Sequence, residues 1–186
     1  ASHYKVNVVF HGNDWYLESN ATASFDVVKN PAPMDIKVTN STVGEIEQIK
    51  DKYNYDQNLR DYLTRIKRKT ALLIAASCQL GAISAGVSET IHKKLFLYGY
   101  YVGMSFQIID DVLDFTATEK ELGKPAGSDL WQGNITLPVL YALREPILAE
   151  EIRKVHADMS HEELRPILEK IKKSGAIEKS MEVSNR

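Results

Sequence analysis

The rhythm of apolar and polar residues changes near residue 43 of this chain. Before it, YKVNVVF alternates polar with apolar positions, WYLESNATASFDVV and MDIKVTN are rich in β-branched and aromatic residues, and HGND and NPAP supply turn residues. A two-residue period broken by such tetrapeptides predicts two or three short strands. After residue 43 the period becomes helical. In GEIEQIKDKYN, Ile46, Ile49 and Tyr53 fall three and four apart, NYDQ interrupts, and NLRDYLTRIKRKTALLIAASCQLGAISAG resumes with Leu59, Leu63 and Ile66 on one stripe. Gly86 reads as a helix stop and Ser88 as the next N-cap. The following helix is predicted over Glu89 to Phe115, about 40 Å at roughly 1.5 Å per residue. ATEKELGKPAGSDLWQGN is predicted as polar loop. Shorter helices are predicted over TLPVLYALRE, around Glu150 to Val155, and after Ser160, which forms a capping-box pattern with Glu163.

The chain therefore divides into a β-prone segment, residues 1–43, of unassigned fold, and a helical region, residues 44–186. With 44% hydrophobic and 26% charged residues in 186, it has the composition of a soluble globular domain that buries a core. Net charge is −2, from 23 basic and 25 acidic residues intermixed, so no global field recruits nucleic acid or an anionic membrane. Any anion binding must be local. The single cysteine, Cys78, excludes an internal disulfide and reads as a small buried hydrophobe, compatible with a reducing cytoplasm. There is no uninterrupted apolar run of about 18 residues, and ASHYKVNVVFHGNDW lacks the form of a signal peptide. A cytoplasmic protein is the expectation.

The candidate chemistry lies in FQIIDDVLDF, residues 106–115. Gln107, Asp110, Asp111 and Asp114 fall at i, i+3, i+4 and i+7 of the long predicted helix and share one face, while Ile108, Val112 and Phe115 fall on another side and can bury. Close carboxylates repel by up to about 4 kcal/mol per pair at an effective dielectric of about 20. Neighbouring helical positions 103, 106, 107, 115, 117 and 118 supply no cation. Either this is a solvated acidic face or a bound cation relieves it, and the apolar flanks favour the cation. Magnesium suits such a site, because it takes one or two protein carboxylates and completes its shell with water and phosphate oxygens. A calcium EF-hand is excluded by the missing glycine and closing glutamate.

GMSFQIIDDVLDF followed by LGKPAGSDLWQGNITLPVLYAL, with GEIEQ and RKTALL upstream, resembles the second aspartate-rich region of the trans-type polyprenyl diphosphate synthases. The resemblance covers about residues 44–186 and looks most like the large catalytic subunits of bacterial heptaprenyl diphosphate synthases. It implies an all-α isoprenoid-synthase bundle, here partial, that elongates an allylic prenyl diphosphate with isopentenyl diphosphate by Mg²⁺-assisted ionisation, loss of diphosphate and condensation. It also implies a small regulatory subunit as partner, or a homodimer. By the same resemblance Asp110 and Asp111, with Asp114 behind them, bind Mg²⁺. Lys69 contacts the diphosphate, Thr70 adds a hydrogen bond, Gln107 orients the allylic end, Lys124 is a second diphosphate contact, and Asp129 fixes the loop or acts through a metal-bound water. Tyr98, Tyr100, Tyr101, Phe96 and Met104 read as an aromatic patch of the core, some of it able to line a prenyl channel.

The family pattern also contains a first DDxxD motif upstream of GEIEQ, and none is present: the acids before Gly44 are Asp14, Glu18, Asp26 and Asp35, never paired. Residues 1–43 do not resemble the family. Two readings follow: a prenyl-chain-elongating transferase or its catalytic part, and a catalytically incompetent fragment or chimera that keeps a Mg²⁺–diphosphate half-site. A terpene cyclase fits less well, since its second metal motif mixes Asn, Ser or Thr with Glu.

Overall fold

A computed structural model of the chain describes residues 2–10, 19–27 and 43–185. The strands lie before residue 43. β1 (Ser2–Phe10) and β2 (Ser19–Val27) pair antiparallel, from Ser2 opposite Val27 to Phe10 opposite Ser19. The expected turns HGND and NPAP and the third strand candidate MDIKVTN lie outside the described residues.

From residue 43 the described chain is all-α. α1 is residues 43–50. Its Ile46 and Ile49, expected to pack inward, are exposed. The NYDQ break is a real turn: Tyr53 takes a left-handed backbone (φ 56°), donates its N–H to the Gly133 carbonyl at 2.8 Å, and donates its hydroxyl to the Trp131 carbonyl at 2.7 Å. α2 (Leu59–Ile66) opens on a capping box in which Asn58 and Asp61 each accept the other's backbone N–H. It runs through one π turn, Lys67–Ala71, into α3 (Leu72–Ser84). Gly86, at φ 71°, ends that rod.

α4 (Glu89–Thr116) ends one residue beyond the expected span and starts from Ser88 in extended conformation, although the Ser88 side chain makes no cap bond. Gly99 and Gly103 let α4 lie directly on α3. A Cβ on Gly99 would stand 2.8 Å from the Ala75 Cα, and one on Gly103 2.6 Å from the Ala71 Cα, distances real side chains do not show. Cys78 sits at this seam, half-buried rather than buried, with its Sγ 2.9 Å from the same Gly99 position.

The stretch expected as loop contains two short helices, α5 (Glu119–Leu122) and α6 (Ser128–Trp131). Thr118 and Glu121 bond reciprocally around the first, a local capping signal that outweighs the polar composition. α7 (Leu137–Ala142) follows, and α8 (Pro146–Ile152) begins four residues before the expected Glu150 because Pro146 occupies its first turn. α9 (His161–Lys173) carries the predicted Ser160–Glu163 capping box, and Gly175 (φ 78°) separates it from α10 (Ala176–Ser184). The C-terminal helices close over Phe115, Leu130, Ile135, Val139, Ile152 and Leu164, all essentially inaccessible. This core holds the end of α4 fixed. The aromatic patch on α4 is split: Tyr98 and Tyr101 are 63% and 65% exposed, because no described element covers that face, whereas Phe96, Tyr100 and Met104 are half-buried and Met104 packs against the core around Tyr62 and Ile108.

Candidate functional site

The site lies where α2, the π turn and α4 meet. As its spacing requires, α4 turns Ile108, Val112 and Phe115 into the core and Gln107, Asp111 and Asp114 inward on the adjoining side, with Asp110 exposed at the rim. Buried carboxylates need partners, and each has them. Tyr62, fully buried on α2, donates its hydroxyl to Asp111 Oδ2 at 2.7 Å, and Gln107 Nε2 donates to Asp111 Oδ1 at 3.1 Å and to Asp110 Oδ2 at 3.3 Å. The Thr70 hydroxyl donates to Gln107 Oε1 at 2.8 Å, which fixes the amide so that its NH₂ faces the two aspartates. Asp114 looks the other way. Its Oδ1 pairs with Lys124 Nζ at 2.9 Å and its Oδ2 accepts the Asp129 N–H at 3.1 Å, while Lys124 also reaches Asp129 Oδ1 at 3.6 Å.

Lys69 enters the same space from the π turn. Gly44 makes this possible: a Cβ there would stand 2.6 Å from the Lys69 backbone nitrogen, so α1 packs flat on the turn. α1 then holds Lys69 Nζ at 2.8 Å from Gln48 Oε1 and 3.9 Å from Glu45, and Glu47 pairs with Arg68. Arg65, buried one turn before Lys69, donates to Gln57 Oε1 at 2.7 Å and to the Ile135 carbonyl at 2.8 Å, bracing α2 against the strap before α7.

Between these groups is a small cleft of about 60 Å³, lined among others by Lys69, Arg65, Gln107, Asp110, Asp111 and Asp129. Burial pushes Asp111 up to about 7, against the hydrogen bonds from Tyr62 and Gln107. Burial, reinforced by the charge of Asp129, also raises Asp114, with Lys124 opposing. For Lys124 burial works against the charged form but is outweighed by the bond to Asp114 and the charge of Asp129, so its proton is held more tightly than usual.

The structure thus brings Lys69, Gln107, Asp110 and Asp111 to one cleft, with Thr70 acting on it through Gln107. It places Asp114 and Lys124 beside the cleft, bound to each other. The cation that seemed absent from the sequence around the aspartates is supplied to Asp114 by Lys124, from a loop that helical spacing does not reach. Tyr62, Arg65 and Gln48 were not singled out from the sequence. The signal for the first two was the spacing of Tyr62, Arg65 and Lys69 at three and four, a face adjoining that of Leu59 and Leu63. Asn134 Oδ1 and Thr136 Oγ1 also line the cleft, are buried, and lack a hydrogen-bond partner.

This donor set fits a hard, hydrated cation. Its ligands are oxygens, and two further buried oxygens stand unsatisfied on the same walls. Among the described residues no three His, Cys, Asp or Glu side chains converge on one point. Asp110 and Asp111 would supply such a cation with one or two carboxylates, the number Mg²⁺ draws from protein when phosphate and water supply the rest.

An all-α bundle with an aspartate-rich helix facing a lysine across an oxygen-lined cleft narrows the class of protein, and comparison with known proteins makes the assignment specific. The polyprenyl synthetase family model matches residues 17–171. The chain belongs to that family. The match opens upstream of Gly44, so it takes in part of the segment that carries no recognisable family motif. Heptaprenyl diphosphate synthase component 2 of Bacillus subtilis (strain 168) is 67% identical over 142 residues, covering 76% of this chain and 41% of the relative. Solanesyl-diphosphate synthase 2, chloroplastic, of Oryza sativa subsp. japonica is 37% identical over 177 residues, 95% of this chain and 42% of the relative.

Among solved structures, heptaprenyl diphosphate synthase from Staphylococcus aureus superposes with a TM-score of 0.79 at 44% identity, covering 82% of this chain and 48% of that one. A polyprenyl synthase from Caulobacter crescentus CB15, complexed with calcium and isoprenyl diphosphate, gives 0.76 at 32% identity, with the same coverage. The fold is therefore that of the isoprenoid synthases. The chain spans about half the length of the relatives it matches. No described helix is long and apolar enough to cross a membrane.

Proposed function

We propose that this chain supplies the allylic-diphosphate side of a prenyltransferase that extends a prenyl diphosphate with isopentenyl diphosphate, in the cytoplasm and with a small partner subunit. The observation that carries the reading is the joining of Asp110 and Asp111 through Gln107, facing Lys69 across one cleft. Asp110 and Asp111 are the residues to hold Mg²⁺, which when bound neutralises diphosphate and favours its departure. Lys69 offers a further positive charge to the diphosphate, within reach of Gln48 when none is present. Gln107, locked by Thr70, orients its amide toward the aspartates. Tyr62 holds Asp111 in one rotamer, and Arg65 braces the wall without being spent on the ligand. Lys124 neutralises Asp114 in this arrangement and is the group to swing toward diphosphate once a cation draws on the aspartates. A calcium ion and isoprenyl diphosphate accompany the Caulobacter relative, which supports this ligand chemistry.

The test is incubation of the chain with farnesyl diphosphate, isopentenyl diphosphate and Mg²⁺, with and without a small-subunit partner, followed by product analysis. Longer prenyl products are expected when the site is complete. Mg²⁺-dependent diphosphate binding that yields no product under either condition would leave the half-site reading instead. Its specific support is that the cleft contains one aspartate pair among the described residues.

A further inference from the structure

A second cavity, of about 380 Å³, lies outside the aspartate cleft, between the 55–59 segment and α7. Its volume falls within the range of small-molecule sites. Leu59, Leu137, Leu140, Tyr141 and Leu143 form its apolar lining, with Leu137 inaccessible and the others half-buried. Hydrogen bonds fix the walls in place. Tyr55 donates its hydroxyl to the Val155 carbonyl at 2.7 Å, and Gln57 uses both ends of its amide, accepting from Arg65 and donating to the Ile135 carbonyl at 2.7 Å each. Arg65 lines the aspartate cleft and Gln57 lines the second cavity, so this bridge is a wall common to both.

Two arginines stand at the rim, Arg144 just past the end of α7 and Arg153 just past the end of α8. A cation after a helix C-terminus is ordinary on its own. Here two of them line one apolar cavity, and neither is firmly paired. Arg144 lies over the Tyr141 ring at 4.7 Å and has no carboxylate partner among the described residues. Arg153 reaches Asp56 at 2.8 Å, but Asp56 is 82% exposed, and an ion pair so open to water holds its arginine loosely. Guanidinium groups beside a leucine floor recognise an anionic head on an apolar body. At about 30 Å³ for each water-sized group, the space admits about a dozen heavy atoms, which is one short chain and too little for a two-chain lipid.

We propose that the cavity between the 55–59 segment and α7 binds a free, single-chain anionic amphiphile: a phosphate or carboxylate head held by Arg144 and Arg153, on an apolar chain of about ten carbons laid along Leu137, Leu140 and Tyr141. The site is separate from the aspartate cleft, and the inference does not depend on what that cleft does.

The full chain is titrated with monomeric decyl phosphate in isothermal calorimetry. Saturable one-to-one binding is expected. Inorganic phosphate and decanol, each offering half of the ligand, should bind at least tenfold more weakly, and so should hexyl phosphate, which withdraws four methylenes from the leucine floor. Arg144→Ala with Arg153→Ala should weaken decyl phosphate at least tenfold with unchanged far-UV circular dichroism, whereas Lys93→Ala, which removes an exposed cation near the start of α4, should leave it unchanged. If the double variant loses helix, Arg144→Gln alone takes its place, with a loss of at least threefold expected. No saturable binding, or binding indifferent to the arginines, overturns the proposal. So does equal binding of decanol, which would leave only an apolar groove, or an equal loss in Lys93→Ala, which would mean that any surface charge suffices. Co-sedimentation with phosphatidic acid vesicles in the absence of decyl phosphate binding overturns it in favour of a membrane surface.

Discussion

On one face of α4, two glycines bring the backbone against α3, and all four carboxylate oxygens of Asp111 and Asp114 are engaged by Tyr62, Gln107, Lys124 and the Asp129 N–H. On the neighbouring face, large apolar side chains from Ile91 to Leu113 stand half in water. The difference reflects what each kind of group requires. A buried carboxylate needs two or three donors, and a short stretch of chain can supply them. An apolar band needs area, which only another element provides. The polar groups are therefore satisfied by neighbouring described residues, while the apolar band is left without a cover among them.

The contrast can be broken most severely at the packed face. Gly103→Val places a branched side chain against the Ala71 backbone and should lower unfolding free energy by about 3 kcal/mol, occasionally more, in urea titration. A loss below about 1 kcal/mol would mean that the close approach is not needed. Next, Tyr62→Phe removes a donor from a buried carboxylate and should cost about 2 kcal/mol. It should also raise Asp111 further, since the Tyr62 bond favours the charged form.

The pH dependence contributed by Asp111 probes the same buried group without a change at Tyr62. Its folded value of about 7 lies above an unfolded value near 3.9, so folding favours the protonated form. That contribution is fully present below about pH 4 and is lost as pH rises through about 7. In metal-free protein, melting temperature relative to Asp111→Asn should decline over this window and level off above it; a flat difference would refute the raised value. The smallest change is on the open face: Tyr98→Ser should shift the stability of the isolated chain by no more than about 0.5 kcal/mol, because no described element packs there. A large loss would show that the band is already covered.

Local rules made the helical half readable. Ser160 with Glu163, Gly86 as a stop, and the i, i+3, i+4, i+7 run of Gln107 to Asp114 act over a turn or two, and the structure carries each of them. Two further local signals were present but masked by bulk polarity: the Asn58–Asp61 box and the Thr118–Glu121 pair. What periodicity could not reveal depends on contacts distant in the chain. Tyr62 meets Asp111 across 49 positions, and Arg65 meets the Ile135 carbonyl across 70. The pairing of Lys124 with Asp114 depends on a loop folding back on α4, where Gly127 donates its N–H to the Asp114 carbonyl at 2.7 Å and would clash with Leu168 if it bore a Cβ. Exposure of Tyr98 and Tyr101 was hidden for the opposite reason: sequence shows that a residue is apolar, not whether its cover is present.

The π turn at Lys67–Ala71 sets the phase of the site. Tyr62 precedes it and bonds Asp111; Thr70 lies within it and bonds Gln107, one turn earlier on α4. A π turn accommodates roughly one residue more than an α turn, and one residue is about 100° of rotation. Deleting a single residue between 67 and 71 would let the rod close into uninterrupted α-helix with its downstream phase kept, whereas straightening the same five residues without a deletion would swing everything downstream by about that angle relative to Tyr62. The two hydrogen bonds to α4 could no longer form together. The winding of these five residues thus acts as a phase setting between Tyr62 and Thr70.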